Sequence, residues 1–372
     1  MKRILINDRL YPNKFSVWRN EEINYFLSQE DLEVDILVFK LNENAGITFD
    51  FDYEYFSELL KDYNIFIFDK SLNHINRYNS RFDGTQYNGR YRGSYLLTKK
   101  SKPLIEEYDA VYHIFLNSFH SFNKNYNFPL SKQFIHLYPG GGFNLENFNI
   151  DKEVNIISTH PLTTKVVNDN NNRYIECLMA PICKTTNSKN FDNKKLTVCF
   201  SSLGDSRQKG NEMYKTIEKL YKKFHKEDDV DFISISNKKI VDNNLTPMDY
   251  KSLLYVYKNW IDIYINTETG ISFNGWPLGL EAASQGCILM TTDNLSSQKL
   301  YNIEEDTFII CNTEQEFVNK IHNLYMNRRL MNEISNRAKK YLDNFITVNN
   351  QQEKIIDFMK NNMSSSTSIT LK

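Results

Sequence analysis

The sequence lacks an excess of charge of either sign, a paired-cysteine motif and any long apolar run. Its 45 Lys and Arg against 46 Asp and Glu leave a formal net charge of −1. A general nucleic-acid binder needs a basic excess to neutralise phosphates, so no nucleic-acid partner is expected. The five cysteines, Cys177, Cys183, Cys199, Cys287 and Cys311, are odd in number and form no CxxC pair. Three of them, Cys199, Cys287 and Cys311, lie in or beside apolar runs that read as strands, so the set reads as buried reduced thiols. No His/Asp/Cys cluster at ligand spacing and no isolated DxD motif at a strand end is visible, so no metal site and no cofactor are predicted. No stretch approaches the ~18 apolar residues that span a membrane. The opening MKRILIND is too short for a signal-peptide core. These absences predict a soluble, cytoplasmic protein.

What is present is an α/β rhythm, repeated. The chain has 372 residues, which at roughly 100–200 residues per domain suggests two domains. Short apolar runs at Lys2–Asp8, Val34–Phe39, Asn64–Phe68, Ala110–Leu116, Gln133–Leu137 and Val154–Ser158 read as strands. Helical stretches stand around Glu22–Leu27 and Tyr53–Lys61 and from about Pro161. Such alternation predicts βαβ units and a parallel sheet. Residues 73–102 show little periodicity, and the polar stretch Thr185–Lys195 reads as an interdomain linker.

A second series follows. Leu196–Ser201, Asp231–Ser236, Ile261–Ile265, Gly286–Thr291 and Thr307–Cys311 read as strands. Asn211–Phe224 reads as a helix with Met213, Ile217, Leu220 and Phe224 on one face. Pro247–Val256 reads as another, with Thr246 as N-cap, and Leu280–Ser284 begins a third. Glu314–Tyr325, Arg328–Asp343 and Gln351–Lys360 complete the helices, and residues 363–372 read as a disordered tail.

Two segments of the second series carry chemistry. SSLGDSRQKG ends its first strand and runs into an amphipathic helix, and IDIYINTETGISFNGWPLGLEAASQGCILMTTD follows later. Gly210 and the loop from Gly275 to Gly279 each place a helix N-terminus after a strand. Free N–H groups and the positive dipole end suit a diphosphate there. A lone Lys-Gly or a lone Glu-Ala is commonplace; the ordered combination is what points to a nucleotide site.

These segments resemble the C-terminal donor domain of the retaining family 4 glycosyltransferases of GT-B fold. The resemblance covers about residues 194–345 and the final helix. It implies two Rossmann-like domains facing across a cleft: an acceptor domain over 1–185, on which 346–362 pack back, and a nucleotide-sugar donor domain over 194–345. It implies sugar transfer from a nucleoside-diphosphate donor to a hydroxyl of a glycan or glycoconjugate, with retention and without a catalytic metal. Lys209 would meet the diphosphate, with Arg207 beside it, and Glu281 would take the ribose hydroxyls. The backbone from Asn274 through Gly275, Trp276 and Pro277 to Gly279 would approach the phosphates and sugar. Phe273 stands where the family usually carries a first Glu, which leaves Glu268 and Asn274 as polar candidates. Leu203 stands near the usual Arg, and the usual Gly-rich loop after the first strand is replaced by NDRLYPNKFS. A non-catalytic module that binds glycan or assists a partner transferase, and a sugar-nucleotide epimerase, are the rival readings.

In the first half, FIHLYPGGG is the sharpest feature. Gly140, Gly141 and Gly142 would let backbone approach a ligand closely. The GT-B pattern puts a His near this strand end in the cleft. His136 is the nearest match and is taken as catalytic with Lys209 and Glu281. Tyr138 and His160 join the glycines on the acceptor side, although a lone His is more often structural. Between Arg77 and Lys102, basic residues interleave with Tyr78, Phe82, Tyr87, Tyr91 and Tyr95. That mixture suits an acceptor site or peripheral contact with anionic lipid headgroups, and equally a solvated loop.

Overall fold

The structure is a computed structural model. It describes residues 1–8, 17–39, 63–69, 74–77, 94–99, 105–124, 126–137, 150–159, 161–177, 185–186, 189, 191, 195–202, 210–267, 275–292, 307–348 and 350–364. The chain divides into two compact units, Met1–Cys177 with Gln351–Lys372, and Leu178–Asn350.

In the first unit the described strands are β1 (Lys2–Asp8), β2 (Leu32–Phe39), β3 (Asn64–Asp69), β4 (His74–Arg77), β5 (Ser94–Thr98), β6 (Ala110–Ile114), β7 (Gln133–Leu137), β8 (Asn155–Ser158) and β9 (Tyr174–Glu176). They form one sheet in the order β4-β3-β5-β2-β1-β6-β7-β8-β9. From β2 to β9 the pairs are parallel. The β2·β5, β5·β3 and β3·β4 pairs are antiparallel. The parallel sheet expected from the sequence is therefore mixed, and the aperiodic stretch from 73 to 102 supplies two of its strands, β4 at the edge and β5 between β3 and β2. The helices are α1 (Val17–Leu27), α2 (Leu116–Asn123) and α3 (Pro161–Asp169). The stretch expected as a helix at Tyr53–Lys61 lies outside the described residues.

Among the described residues this unit has a core cluster around Leu5, Leu37, Val111 and Phe122 and another around Ile135, Leu137, Ile156 and Val167.

The second unit reads β10 (Leu196–Ser202), α4 (Asn211–Phe224), β11 (Val230–Ser236), β12 (Asn243–Leu245), α5 (Tyr250–Asn259), β13 (Ile263–Asn266), α6 (Gly275–Ser284), β14 (Ile288–Thr291), β15 (Ile309–Ile310), α7 (Glu314–Met326) and α8 (Arg328–Val348). Its sheet order is β12-β11-β10-β13-β14-β15, parallel throughout. Alternate residues feed two cores. Val198, Phe200, Ile263, Ile265, Ile288 and Met290 join the cluster that includes Ile217 of α4 and Phe317 of α7. Cys199, Tyr264 and Leu289 join the one that includes Tyr257 of α5, Leu280 of α6 and Leu342 of α8. A sheet buried on both faces explains the near-continuous apolar strands.

Three local readings change. On α4 the buried face is Tyr214, Ile217 and Tyr221, and Phe224 is exposed. The tyrosines win because their hydroxyls find partners: the one Tyr214 hydroxyl proton is shared between the carbonyls of Val198 and Ile233, both at 2.9 Å, and Tyr221 donates to Asp228 at 2.7 Å. Helix α5 starts at Tyr250 rather than Pro247, because Asp249 caps it by accepting the Ser252 N–H at 3.0 Å. The start of the expected linker is tied to the second unit. The Thr186 N–H donates to the Ser284 carbonyl at 2.9 Å, the Lys189 ammonium pairs with Asp262 at 3.6 Å, and Phe191 is buried in the core.

Helix α9 (Gln351–Ser364) belongs to the first unit. Phe358 meets Phe134 of β7 edge-on with ring centroids 5.9 Å apart, and Lys360 pairs with Asp31 at 2.6 Å. It continues past the point where the sequence suggests a tail, and Met363 is buried. Cys177, Cys199, Cys287 and Cys311 are free and buried, as expected, and burial raises each thiol's pKa. Among the described residues, no helix is long and apolar enough to cross a membrane.

Candidate functional site

In an open parallel sheet, ligands bind beyond the carboxyl ends of the strands, where the strand order reverses. In the second unit that reversal lies between β10 and β13. The strands there end in buried polar residues: Ser202, Ser236, Asn266, Thr291 and the flanking Thr267 and Thr292. Apolar strands with polar carboxyl ends mark the ligand edge of the sheet.

Gly210 caps α4 at this point with φ of 73°. Its carbonyl accepts the Tyr214 N–H at 3.1 Å and the Thr267 hydroxyl at 2.9 Å. A Cβ on residue 210 would stand 2.1 Å from the Thr267 carbonyl oxygen and 2.4 Å from its hydroxyl. Both the backbone angle and the space therefore demand glycine. The clamp fixes the first turn of α4 against the end of β13, and Tyr214 anchors the helix below it. The amino-terminal N–H groups of α4 are thereby presented at the reversal, a ready anion site.

Helix α6 supplies the second element. It begins at Gly275, earlier than the Leu280 start read from the sequence, and contains Trp276, Pro277, Gly279 and Glu281. A Cβ on Gly279 would lie 2.9 Å from Leu289 of β14, so the glycine permits close helix–sheet packing. Glu281 is buried, and its Oε1 accepts the Tyr250 hydroxyl at 3.1 Å. Burial pushes its carboxyl up to about 8, against the opposing hydrogen bond from Tyr250. A largely protonated carboxyl can donate one hydrogen bond and accept another, which suits a vicinal diol. Arg207, Lys209, Glu268 and Asn274 lie outside the described residues, as do the side chains of Trp276 and Pro277.

The first unit has its own reversal, between β1 and β6. The sequence reading missed what fills it. Asp8, the last residue of β1, forms an ion pair with Arg19 of α1, and both are buried. The Arg19 guanidinium lies 4.9 Å from the centroid of the Phe115 ring. Phe115 has φ of 76° and ψ of 149°, a region that costs a non-glycine residue about 1–3 kcal/mol. Beside it the Tyr112 hydroxyl donates to Glu22 at 2.5 Å, and His136 Nδ1 lies 3.1 Å from Glu22 and 2.7 Å from Tyr112. His136 is fully buried within this network. His113 is also fully buried. Its Nδ1 accepts from Asn7 at 2.8 Å and its Nε2 meets Gln133 at 2.9 Å, and burial lowers its pKa to about 3. It is a structural histidine. Tyr138, Gly140, Gly141, Gly142 and His160 lie outside the described residues. The charged positions were visible only as an Asp ending the first strand and an Arg and Glu at i, i+3 on the next helix.

No protein-family model matches the sequence, and no curated protein matches it. Solved structures do. Sucrose-phosphate synthase from Thermosynechococcus elongatus superposes with a TM-score of 0.58 at 10% identity, over 98% of this chain and 100% of that one. A TarM variant from S. aureus, in complex with Fondaparinux, alpha-GlcNAc-glycerol and UDP, gives 0.57 at 12% identity, over 98% and 100%. Trehalose-6-phosphate synthase OtsA gives 0.50 at 11%, over 68% and 72%. The chain therefore has the α/β GT-B fold of these glycosyltransferases over nearly its whole length.

Proposed function

We propose that the protein is a glycosyltransferase. It moves a sugar from a nucleoside-diphosphate donor to a hydroxyl of a glycan or glycoconjugate, with retention of configuration. The observation that carries this reading is the Gly210–Thr267 clamp, which holds a helix N-terminus at the strand-order reversal of the second unit. In this reading the diphosphate sits on the first turn of α4, with Lys209 and Arg207 adding positive charge. Glu281 takes the ribose hydroxyls.

The bond from the anomeric carbon to the donor phosphate oxygen breaks, and a bond to the acceptor oxygen forms. The acceptor hydroxyl's proton passes to the departing diphosphate oxygen, the base that the reaction itself supplies. The electron pair leaves on the diphosphate, where the α4 N–H groups and Lys209 stabilise the growing charge. His136, Tyr138, His160 and the Gly140–Gly142 loop are the acceptor-side candidates, His136 through the Glu22 and Tyr112 network. Because the TarM structure is a complex with UDP, uridine diphosphate is the first donor nucleotide to try.

Phe273 in place of the family's first Glu favours a second reading, a module that binds donor without turnover. A thermal-shift screen against UDP, GDP, ADP, CMP and their sugar conjugates tests both. A ligand that binds only the folded state raises its melting temperature. A selective rise with one diphosphate, followed by release of that diphosphate from its sugar conjugate when acceptor is added, supports transfer. A rise without release supports the module. No rise with any nucleotide overturns both.

A further inference from the structure

The second unit assembles a group of side chains at the amino-terminal edge of its sheet, opposite the edge that carries Gly210 and Thr267. His225 is the C-cap of α4, Asp228 stands in the turn leading into β11, and His322 lies on α7. Leu196, which opens β10, donates its N–H to the Asp229 carbonyl and so places that turn at the strand starts. His322 is 94 residues from Asp228 in sequence, so no spacing motif announces the group.

One ligand atom from each residue lies within 4.8 Å of the others. His322 Nδ1 is 2.7 Å from Asp228 Oδ2, and His225 Nδ1 is 3.9 Å from the same oxygen. The imidazoles stack, with centroids 3.9 Å apart and planes 19° apart. Zinc–ligand bonds of about 2.0–2.2 Å in tetrahedral geometry set ligand atoms roughly 3.3–3.5 Å apart, between the two separations observed. To enclose an ion the two rings must turn out of their stack, and His322 Nδ1 must exchange its contact with Asp228 for the metal.

The surroundings are built like an outer shell. The Tyr221 hydroxyl donates to Asp228 Oδ2 at 2.7 Å, orienting the carboxylate. The Tyr325 hydroxyl accepts the Asp229 N–H at 3.1 Å and steadies the turn. The Arg328 guanidinium lies 5.1 Å from the Tyr325 ring centroid. All three side chains remain partly open to solvent, which gives an ion access.

We propose that His225, Asp228 and His322 bind a divalent transition metal ion. Two imidazoles and one carboxylate select the zinc, nickel and copper group over magnesium or calcium. Three protein ligands leave a position for water. Lying at the far edge of the sheet, the ion ties the end of α4 and the β11 turn to α7. Its role is structural and separate from sugar transfer.

The test is zinc chloride titrated into the metal-free full chain, read by competition with a chromogenic chelator and by melting temperature. One equivalent should bind, with a rise in melting temperature. His225→Gln and His322→Gln should each weaken binding at least tenfold and abolish the rise. Tyr221→Phe should weaken it less. Imidazole NMR of the unmodified protein guards against a variant that does not fold: zinc should shift His225 and His322 and leave His113 and His136 in place. Absence of binding to the unmodified chain, unchanged affinity in folded His→Gln variants, or shifts at other histidines would each overturn the proposal.

Discussion

The two strand-order reversals are built from opposite materials. In the first unit the crevice is filled by the protein's own charges: Asp8 against Arg19, with Glu22, Tyr112 and His136 beside them. In the second the described residues at that point are a glycine, a threonine and the first turn of a helix. An arginine already paired with an aspartate has little left to offer an external phosphate. A helix N-terminus held by neutral groups keeps its N–H donors directed at an incoming anion. The same topology thus yields a crevice occupied from within and one suited to a charged ligand.

Removing the internal charge should have the largest effect. Arg19→Met leaves Asp8 buried without its ion-pair partner, which costs about 3–5 kcal/mol, read as a lowered denaturation midpoint. Nucleotide affinity per folded molecule should stay the same. Next comes Gly210→Ala, which forces a Cβ into the Thr267 carbonyl at a positive φ. It should cost about 2–3 kcal/mol of stability, and nucleotide affinity should fall at least tenfold by calorimetry. Thr267→Val removes the hydroxyl that reaches the Gly210 carbonyl and should cost about 1 kcal/mol, with a smaller loss of affinity.

The pH dependence sharpens the comparison further. Glu281 is raised when folded, from a usual value of 4.5 to about 8. Its protonated form is the one the fold favours, so its contribution is complete below about pH 4.5 and is lost as pH rises toward 8. Stability should fall by up to about 1.4 kcal/mol per pH unit inside that window. Glu281→Gln should flatten the slope in thermal melts recorded between these limits.

Much of the second unit was legible because its strands are buried on both faces and stand out as apolar runs between polar loops. Gly210 could be picked out by its place after a strand, and Glu281 only through the resemblance to family 4 donor domains. Thr267 could not, because its partner lies 57 residues away. In the first unit β4, with sequence HINR, carries no apolar run, so residues 73–102 read as aperiodic. Helical periodicity located α4 and placed Met213, Ile217 and Leu220 against the core, but it overran to the exposed Phe224 and missed Tyr214 and Tyr221, since spacing does not see carbonyls waiting for the Tyr214 hydroxyl. The Asp8–Arg19 pair escaped notice because its meaning depends on which strand end it occupies. His225, Asp228 and His322 share the limitation of Thr267, being neighbours only after folding.

Hydrogen–deuterium exchange with and without the nucleoside diphosphate that binds tests the central claim most directly. The account predicts added protection in the first turn of α4, from 210 to 214, and along α6, from 275 to 281, with little change at Ile114–Asn123. Protection at the β1/β6 reversal instead, with α4 and α6 unchanged, would contradict it.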